Sequence, residues 1–405
     1  MKLSFCMIVK DEADRLERCL QSVRDVVDEM VVLDTGSSDR TPEIAQSFGA
    51  IVPTFKWCND FSAARNHALQ YVTGDWVLVL DADEILASAI VPALKQAIQS
   101  ESHLVLNLLR EEVGAAQSPY SMVSRLFRHH PAICFSRPYH AMIDDSVMAL
   151  LAQEAHWQVG YLPEVAILHE GYQSDLIAAR DKFNKARSTM EGFLAEHPQD
   201  AYVCSKLGAL YVQLGETAKG LELLRRGLRS IHATGTANAV NDTLTLYELH
   251  YHLGSVYGES QQLDQAEHHY QAAVQQPIPP QLKLGALNNL GNVLKDRHNL
   301  QGARSHYEQA LQIDPSFAIA HHNLGTTLKA MGQLGDAIAH YQQAIALKPD
   351  YADAHQNLGV ALLKLGQVPE SLAAFGRAIA LHEQQGSEEG DRLRQGLQAM
   401  GFNLN

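Results

Sequence analysis

Two aspartates one residue apart, Asp81 and Asp83, follow five apolar residues, Trp76 to Leu80, in the stretch GDWVLVLDADE that runs from Gly74 to Glu84. A short apolar run ahead of polar residues reads as a buried strand at the centre of a parallel sheet. Ligands of open α/β sheets bind beyond the carboxyl ends of the strands. Two carboxylates leaving such a strand end can converge on one hard divalent cation, Mn2+ or Mg2+, that keeps open positions for phosphate oxygens. An isolated Asp-x-Asp more often only caps a helix or a turn, so the surrounding chain decides. Asp34 has the same kind of setting, because Met30 to Leu33 reads as a strand and Asp34 stands at its tip.

The elements that must position these acids alternate in type. Leu3 to Val9 reads as the first strand, and Leu16, Cys19, Leu20 and Val23 fall at the spacing of one helix face. After Asp34, Thr41 is placed as an N-cap with Pro42 as the first helical residue. A short third strand is expected at Ala50 to Val52, and a helix from Asp60 to about Tyr71. Strand, helix, strand, helix, strand is a nucleotide-binding half-sheet. The chain lacks both the GxGxxG and the GxxxxGK[ST] loops, so neither the dinucleotide fingerprint nor the Walker loop accounts for it.

Composition narrows the classes. The 405 residues, 46% hydrophobic and 19% charged, suit a soluble protein of two or three domains. A formal charge of −14 argues against a nucleic-acid binder held by phosphate contacts. No apolar run approaches the roughly 20 residues needed to cross a bilayer, and the N-terminus enters a strand too soon for a signal peptide, so a cytoplasmic protein is expected. Five cysteines without CxxC spacing favour buried thiols over bridges or zinc ligands.

In order along the chain, MIVKDEADRLERCLQSV, VVLDTGSSDRT, FSAARNHAL and GDWVLVLDADE closely resemble the family 2 glycosyltransferases of the GT-A fold, over roughly residues 1 to 90. The resemblance implies an α/β GT-A domain, a Rossmann-like nucleotide-diphospho-sugar transferase. By that resemblance Asp34 takes the nucleotide base, uracil, while Arg65 and Asn66 face the diphosphate or the sugar. Asp81 sits near the ribose and the metal, and Asp83 binds the metal. A later His-x-Gly-Tyr element of similar proteins is present as His169-Glu170-Gly171-Tyr172, by which His169 is expected as a further metal ligand or a diphosphate contact, against the plainer reading of a loop histidine with no chemistry.

From Ser102 to about Tyr172 short strands are expected at His103 to Leu109, Ser124 to Arg128, Tyr139 to Ile143 and Val165 to Leu168, forming the acceptor side. There the pattern breaks. A His-Glu pair is expected on one of these strands, but His140 is followed by Ala141. An inverting transfer needs a base on the face of the sugar opposite the leaving group. Asp144 and Asp145, just downstream, are the candidates, against the plainer reading of two solvated loop acids.

The C-terminal half is a repeat array. Gly291, Gly325 and Gly359 recur at intervals of 34 within NLGNVL, NLGTTL and NLGVAL. Behind each follow a small residue (Ala303, Ala337, Ser371), an aromatic (Tyr307, Tyr341, Phe375) and an alanine (Ala310, Ala344, Ala378). This is the tetratricopeptide pattern. Two looser units surround Gly254 and Gly208, with insertions expected at Pro277 to Gln281 and His232 to Asp242. The expected order is a GT-A domain over 1–172, a connecting helix over 173–200, an all-α TPR superhelix of about five repeats over 201–385, and a capping helix over 386–405. His268, His269, His321 and His322 lack i, i+4 partners and read as helix-surface residues.

The expected function is a metal-dependent, inverting transfer of a hexose from a nucleotide-sugar, a UDP-sugar, to an acceptor. The acceptor is a peptide or protein recruited on the concave face of the array, with saccharide and lipid-linked acceptors left open. The alternative is a scaffold, in which Ala141 marks a decayed catalytic domain that still binds nucleotide beside a protein-binding array.

Overall fold

The computed structural model describes residues 1–170, 176–234 and 240–402, and contacts within the chain divide it into two compact units, Met1–Asp242 and Thr243–Asn405. In the first unit, strands β1 (Leu3–Val9), β2 (Glu29–Asp34), β3 (Trp76–Val79), β4 (Glu84–Leu86), β5 (His103–Glu112), β6 (Tyr120–Arg128) and β7 (Gln158–His169) form one sheet. Their spatial order is β2-β1-β3-β6-β5-β7-β4. Helices α1 (Leu16–Val23), α2 (Thr41–Ser47), α3 (Phe61–Leu69), α4 (Val91–Ala97) and α5 (Asp144–Gln153) accompany it.

Alternation along the strands explains why the runs are apolar throughout. Leu3, Phe5, Met7 and Val9 of β1, with Trp76 and Leu78 of β3, pack in one layer with Leu16, Cys19, Leu20 and Val23 of α1 and Leu94 of α4. The intervening Cys6, Val77 and Val79 face the opposite layer, with Ala64 and Ala68 of α3 and Val147 and Leu150 of α5. A sheet covered on both faces has no solvent side for polar residues to occupy. One acid braces the edge where the first strands begin. Glu29 accepts from Lys2 Nζ (2.8 Å), Ser4 Oγ (2.5 Å) and the Thr73 amide (2.5 Å). Burial pushes its carboxyl up, but Lys2, Ser4 and Thr73 outweigh this and bring it down to about 2.

Several expectations need correction. The sheet is mixed: β3 pairs parallel with β1 but antiparallel with β6, because β6 returns directly from β5 as its antiparallel neighbour. The strand expected at Ala50 to Val52 reduces to isolated bridges, Val31 to Ile51 and Asp34 to Thr54. No strand forms over Tyr139 to Ile143. His140 has φ +52° and Arg137 φ +70°, a left-handed backbone that breaks an extended run, and only the bridge Ser136 to Met142 remains. Helix α2 begins at Thr41 itself, whose hydroxyl and amide both bond Asp39 Oδ1. Cys6, Cys19 and Cys204 are buried, but Cys58 and Cys134 are exposed; all five are free thiols.

Three helices complete the first unit: α6 (Leu176–Glu196), α7 (Ala201–Gln213) and α8 (Thr217–Thr234). Gly171 and Tyr172 of the His-x-Gly-Tyr element, and the centre of the insertion expected at His232 to Asp242, lie outside the described residues. The second unit is a run of helices: α9 (Val240–Glu259), α10 (Leu263–Gln275), α11 (Leu284–Asp296), α12 (Leu300–Ile313), α13 (Ala318–Ala330), α14 (Leu334–Leu347), α15 (Ala352–Lys364), α16 (Val368–Gln384) and α17 (Glu389–Ala399). Each repeat pairs one glycine with one aromatic. A Cβ on Gly291 would lie 2.5 Å from the Tyr307 ring, and one on Gly325 or Gly359 within 2.9 Å of Tyr341 or Phe375. The absent side chain is what lets the aromatic of the second helix lie against the first.

Among the array histidines, His268 is exposed on α10 as expected, but others differ. His269 is 8% exposed, stacked on Tyr257 and bonded through Nδ1 to His250 Nδ1 at 2.9 Å. His321 pairs with His340 in the same way. The partner lies on the facing helix of the same repeat, 19 residues on, so an i, i+4 search within one helix misses it.

Candidate active site

The turn after β3 is held by reciprocal bonds. The Glu84 amide donates to the Asp81 carbonyl (3.0 Å), and the Asp81 amide donates to Glu84 Oε2 (2.9 Å). Strand pairing then delivers the remaining groups. The β4–β7 register sets Glu84 opposite His169, and the β5–β7 register sets Glu112 beside the same histidine. The Glu170 amide donates to the Asp83 carbonyl at 3.0 Å, which closes the corner. His169 thus bridges two acids: Nδ1 lies 2.6 Å from Glu112 Oε2 and Nε2 lies 3.4 Å from Asp83 Oδ2.

Asp81 faces two arginines instead. Arg65 Nη2 donates to Oδ1 at 2.7 Å and Arg125 Nη2 to Oδ2 at 2.9 Å. Arg110 links the acids behind, donating to Glu84 Oε1 (2.7 Å) and through Nε to Glu112 Oε1 (2.9 Å). Burial pushes the Asp81 carboxyl up, yet Arg125 and then Arg65 hold it well below the usual carboxylate range. Asp83 is also lowered, because its bond to His169 outweighs its burial. Glu112 falls to about 2 against its burial, chiefly through His169 and Arg110. Asp83 and Glu112 together raise His169 to about 9, which makes it an imidazolium at neutral pH.

The other expected site residues are placed as follows. Asp34 is buried at the end of β2 and accepts from the amides of Gly36 (3.3 Å) and Ser37 (3.0 Å). The Asn66 amide is a strut: it donates to the Phe135 carbonyl at 2.9 Å and accepts from the Phe135 amide at 2.7 Å. Asp144 opens α5, is buried, and accepts from Ser124 Oγ at 2.9 Å. Asp145, 57% exposed, is bound by Arg137 Nη1 at 2.7 Å and Ser136 Oγ at 2.6 Å.

Arg110, Glu112, Arg125, Glu84 and Arg137 escape a motif search. Arg110 and Glu112 stand two apart near the end of a strand, hence on one face, and Arg125 interrupts an otherwise suitable strand. Charges at such positions were the available signal.

Asp83 Oδ2 and His169 Nε2 supply two converging donors. Mg2+ is commonly held by one or two carboxylates while water and substrate phosphates fill its other positions, and these two residues fit that mode once His169 releases its proton. Both oxygens of Asp81 are engaged by arginine, and among the described residues no group of three or more His, Cys, Asp or Glu is arranged to hold a metal ion.

Comparison with known proteins agrees with the architecture. The family described as "Glycosyl transferase family 2" matches residues 4–160, "TPR repeat" matches 291–332 and 325–366, and "Tetratricopeptide repeat" matches 247–276. A TPR repeat-containing protein of Synechococcus elongatus is 45% identical over 314 residues, covering 78% of this chain and 76% of its own length. An uncharacterized glycosyltransferase of Rickettsia bellii is 27% identical over 45% of this chain and 64% of its own. The glycosyltransferase SunS of Bacillus subtilis is 24% identical over 59% of this chain and 56% of its own. Among solved structures, YrrB, a TPR protein with an unusual peptide-binding site, aligns with 49% of this chain and 94% of its own at 19% identity and a TM-score of 0.39. The chain belongs to the proteins that join a family 2 glycosyltransferase domain of the GT-A type to tetratricopeptide repeats.

Proposed function

We propose that this glycosyltransferase is a metal-dependent, inverting hexosyltransferase that takes its sugar from a UDP-sugar and delivers it to a peptide or protein held by the repeats. The observation that carries the donor side is a pair of arginines beside Asp81 whose Nη1 groups make no hydrogen bond, although Arg125 Nη1 also lies 4.0 Å from Glu84 Oε2. Arg65 Nη1 and Arg125 Nη1 are buried without a hydrogen-bond partner while Nη2 of each grips the carboxylate. Buried guanidinium donors left over at a strand end suit the oxygens of a diphosphate. In this reading Asp34 takes the uracil, and Arg65, set by the Asn66 strut one residue on, meets the diphosphate or the sugar. Asp81 lies by the ribose and the metal, and Asp83 with His169 would hold the cation. When bound, that cation offsets the charge that develops on the departing nucleoside diphosphate. Asp144 or Asp145 deprotonates the acceptor. Asp144 is the first candidate, since it lies nearer His140 in the chain. The catalytic function is assigned to residues 1–172 and acceptor recruitment to the repeats over 201–385, with 173–200 connecting them and 386–405 as the cap. We assign it a cytoplasmic site of action; no helix among the described residues is long and apolar enough to cross a membrane.

The test is release of nucleoside diphosphate from a panel of nucleotide-sugars, with Mn2+ or Mg2+ and with excess chelator. Turnover is expected with UDP-sugars only when metal is present, and Asp83→Ala is expected to abolish it. Full activity in chelator or in that variant refutes the metal assignment. Absence of release from every donor, with nucleotide binding intact, favours the scaffold reading that Ala141 suggests.

A further inference from the structure

Within the first unit, the start of α7 reaches back to the loops of the sheet. Asp200, the N-cap of α7, binds Arg137 Nη2 at 2.8 Å, and the same guanidinium lies 5.4 Å from the ring centre of Tyr202, two residues on. Lys206, one turn further along α7, sets its Nζ 5.1 Å from that ring centre. A cation within about 6 Å of a phenol ring is attracted to its face, so Arg137 and Lys206 together hold the ring in one place. Tyr202 is half-buried and packs, like Tyr139, against the cluster of Met190, Leu194 and Leu207.

Repeat packing does not call for an aromatic at this position. Tyr202 stands six residues before Gly208, and the residues six before Gly254, Gly291, Gly325 and Gly359 are Glu248, Gly285, Ile319 and Asp353. The aromatic that the repeats do use meets the glycine from the second helix. Tyr202 turns to the catalytic corner instead. Burial works against the charge of Arg125, Asp81 and Glu84 sustain it, and the Tyr202 oxygen is close enough to add to their effect. Yet that oxygen is not bonded to Arg125 Nη1, which is buried, 4.0 Å from Glu84 Oε2 and without a hydrogen bond. An oxygen brought in between them can accept from the guanidinium and from the phenol alike.

We propose that Tyr202 of α7 is a residue of the transfer site, whose hydroxyl donates to the same diphosphate oxygen of the sugar donor that accepts from Arg125 Nη1. The catalytic site is then incomplete without the first helix of the hairpin α7–α8. The inference rests on the reading that Arg65 and Arg125 meet a diphosphate. Negative charge gathers on that group as the sugar departs, and a fixed O–H or N–H aimed at an anionic oxygen binds it more strongly than a neutral one. With its ring held by Arg137 and Lys206, the hydroxyl is the working end of Tyr202.

The test uses the full chain with Mn2+ present. UDP is titrated calorimetrically, and uridine, which lacks the phosphates, is measured by its displacement of UDP. Tyr202→Phe removes one oxygen and keeps the ring for Arg137 and Lys206. It is expected to weaken UDP about tenfold, the loss of one hydrogen bond to a charged group, with uridine affinity and melting temperature unchanged. Tyr211→Phe is the control, since Tyr211 lies on the same helix with its hydroxyl on Glu191, and it is expected to bind UDP as the unaltered chain does. Unweakened UDP binding by Tyr202→Phe, an equal loss for uridine, or the same loss in Tyr211→Phe overturns the inference. In each of these cases the unaltered chain still binds UDP, and the donor reading stands. If the unaltered chain binds no UDP, that reading falls and this inference falls with it.

Discussion

Asp81 is the counter-ion that lets Arg65 and Arg125 share one corner, since their side chains are only 8% and 14% exposed. Removing one partner of a buried ion pair costs about 3–5 kcal/mol. Asp81 is itself 36% exposed, so the expected loss for Asp81→Ala is about 2–3 kcal/mol, read by urea denaturation. Asp83→Ala is expected to change stability by less than about 1 kcal/mol, because His169 keeps Glu112. Both variants are expected to lose nucleotide-sugar turnover. Equal destabilisation of the two would contradict this division of labour between neighbouring acids. That both acids stand beyond a strand end is legible in the sequence, because the apolar run and its sudden stop are local. That one faces arginine and the other histidine is not. Arg125 lies 44 positions from Asp81, and His169 arrives through the pairing of β4 with β7, a register no local pattern specifies.

Helices and strands were legible where periodicity was strong. Leu3–Val9 and Leu16–Val23 appear as read, and the 34-residue period marks the glycines that face aromatics. Tyr139 to Ile143 was misread because its residues have strand propensity while Arg137 and His140 take left-handed backbone angles. Tertiary packing overrode local preference there. Helix α5, whose apolar residues fill the layer behind β3, went unread beside it. The repeat helices allow a paired test of the glycine argument. Gly291→Ala drives a methyl into the Tyr307 ring and is expected to cost about 1–3 kcal/mol. Gly376, within α16, has nothing within 4 Å of its Cβ position. Gly376→Ala is therefore expected to add about 0.5–1 kcal/mol through helix propensity alone. Opposite shifts in thermal midpoint would bear this out; like shifts would mean that the ring contact is not what excludes a side chain at Gly291.

At the scale of the molecule, contacts group α6, α7 and α8 with the sheet, whereas the repeat pattern alone groups α7 and α8 with the helices that follow. Arg137 is the reason in miniature. It donates to Asp145 on one side and to Asp200 on the other, at 2.7 and 2.8 Å, with its guanidinium over the Tyr202 ring. Tyr139 packs on Phe61 and also against the cluster built by Met190, Leu194 and Leu207. A chain ending at residue 172 is thus expected to melt at a lower temperature than one ending at residue 242, and to be cut faster by protease in the loop around Arg137. Equal melting would show that α6, α7 and α8 add nothing to the stability of the sheet. Asp200 has a second task, since the same side chain caps α7 by accepting from the Val203 amide at 2.8 Å. One carboxylate therefore starts α7 and fastens the loop that Arg137 joins to Asp145. Anyone transplanting a different array onto this catalytic sheet would have to carry α6, α7 and α8 along with the recipient, because a seam placed at the apparent end of the enzyme would sever a residue that both sides use.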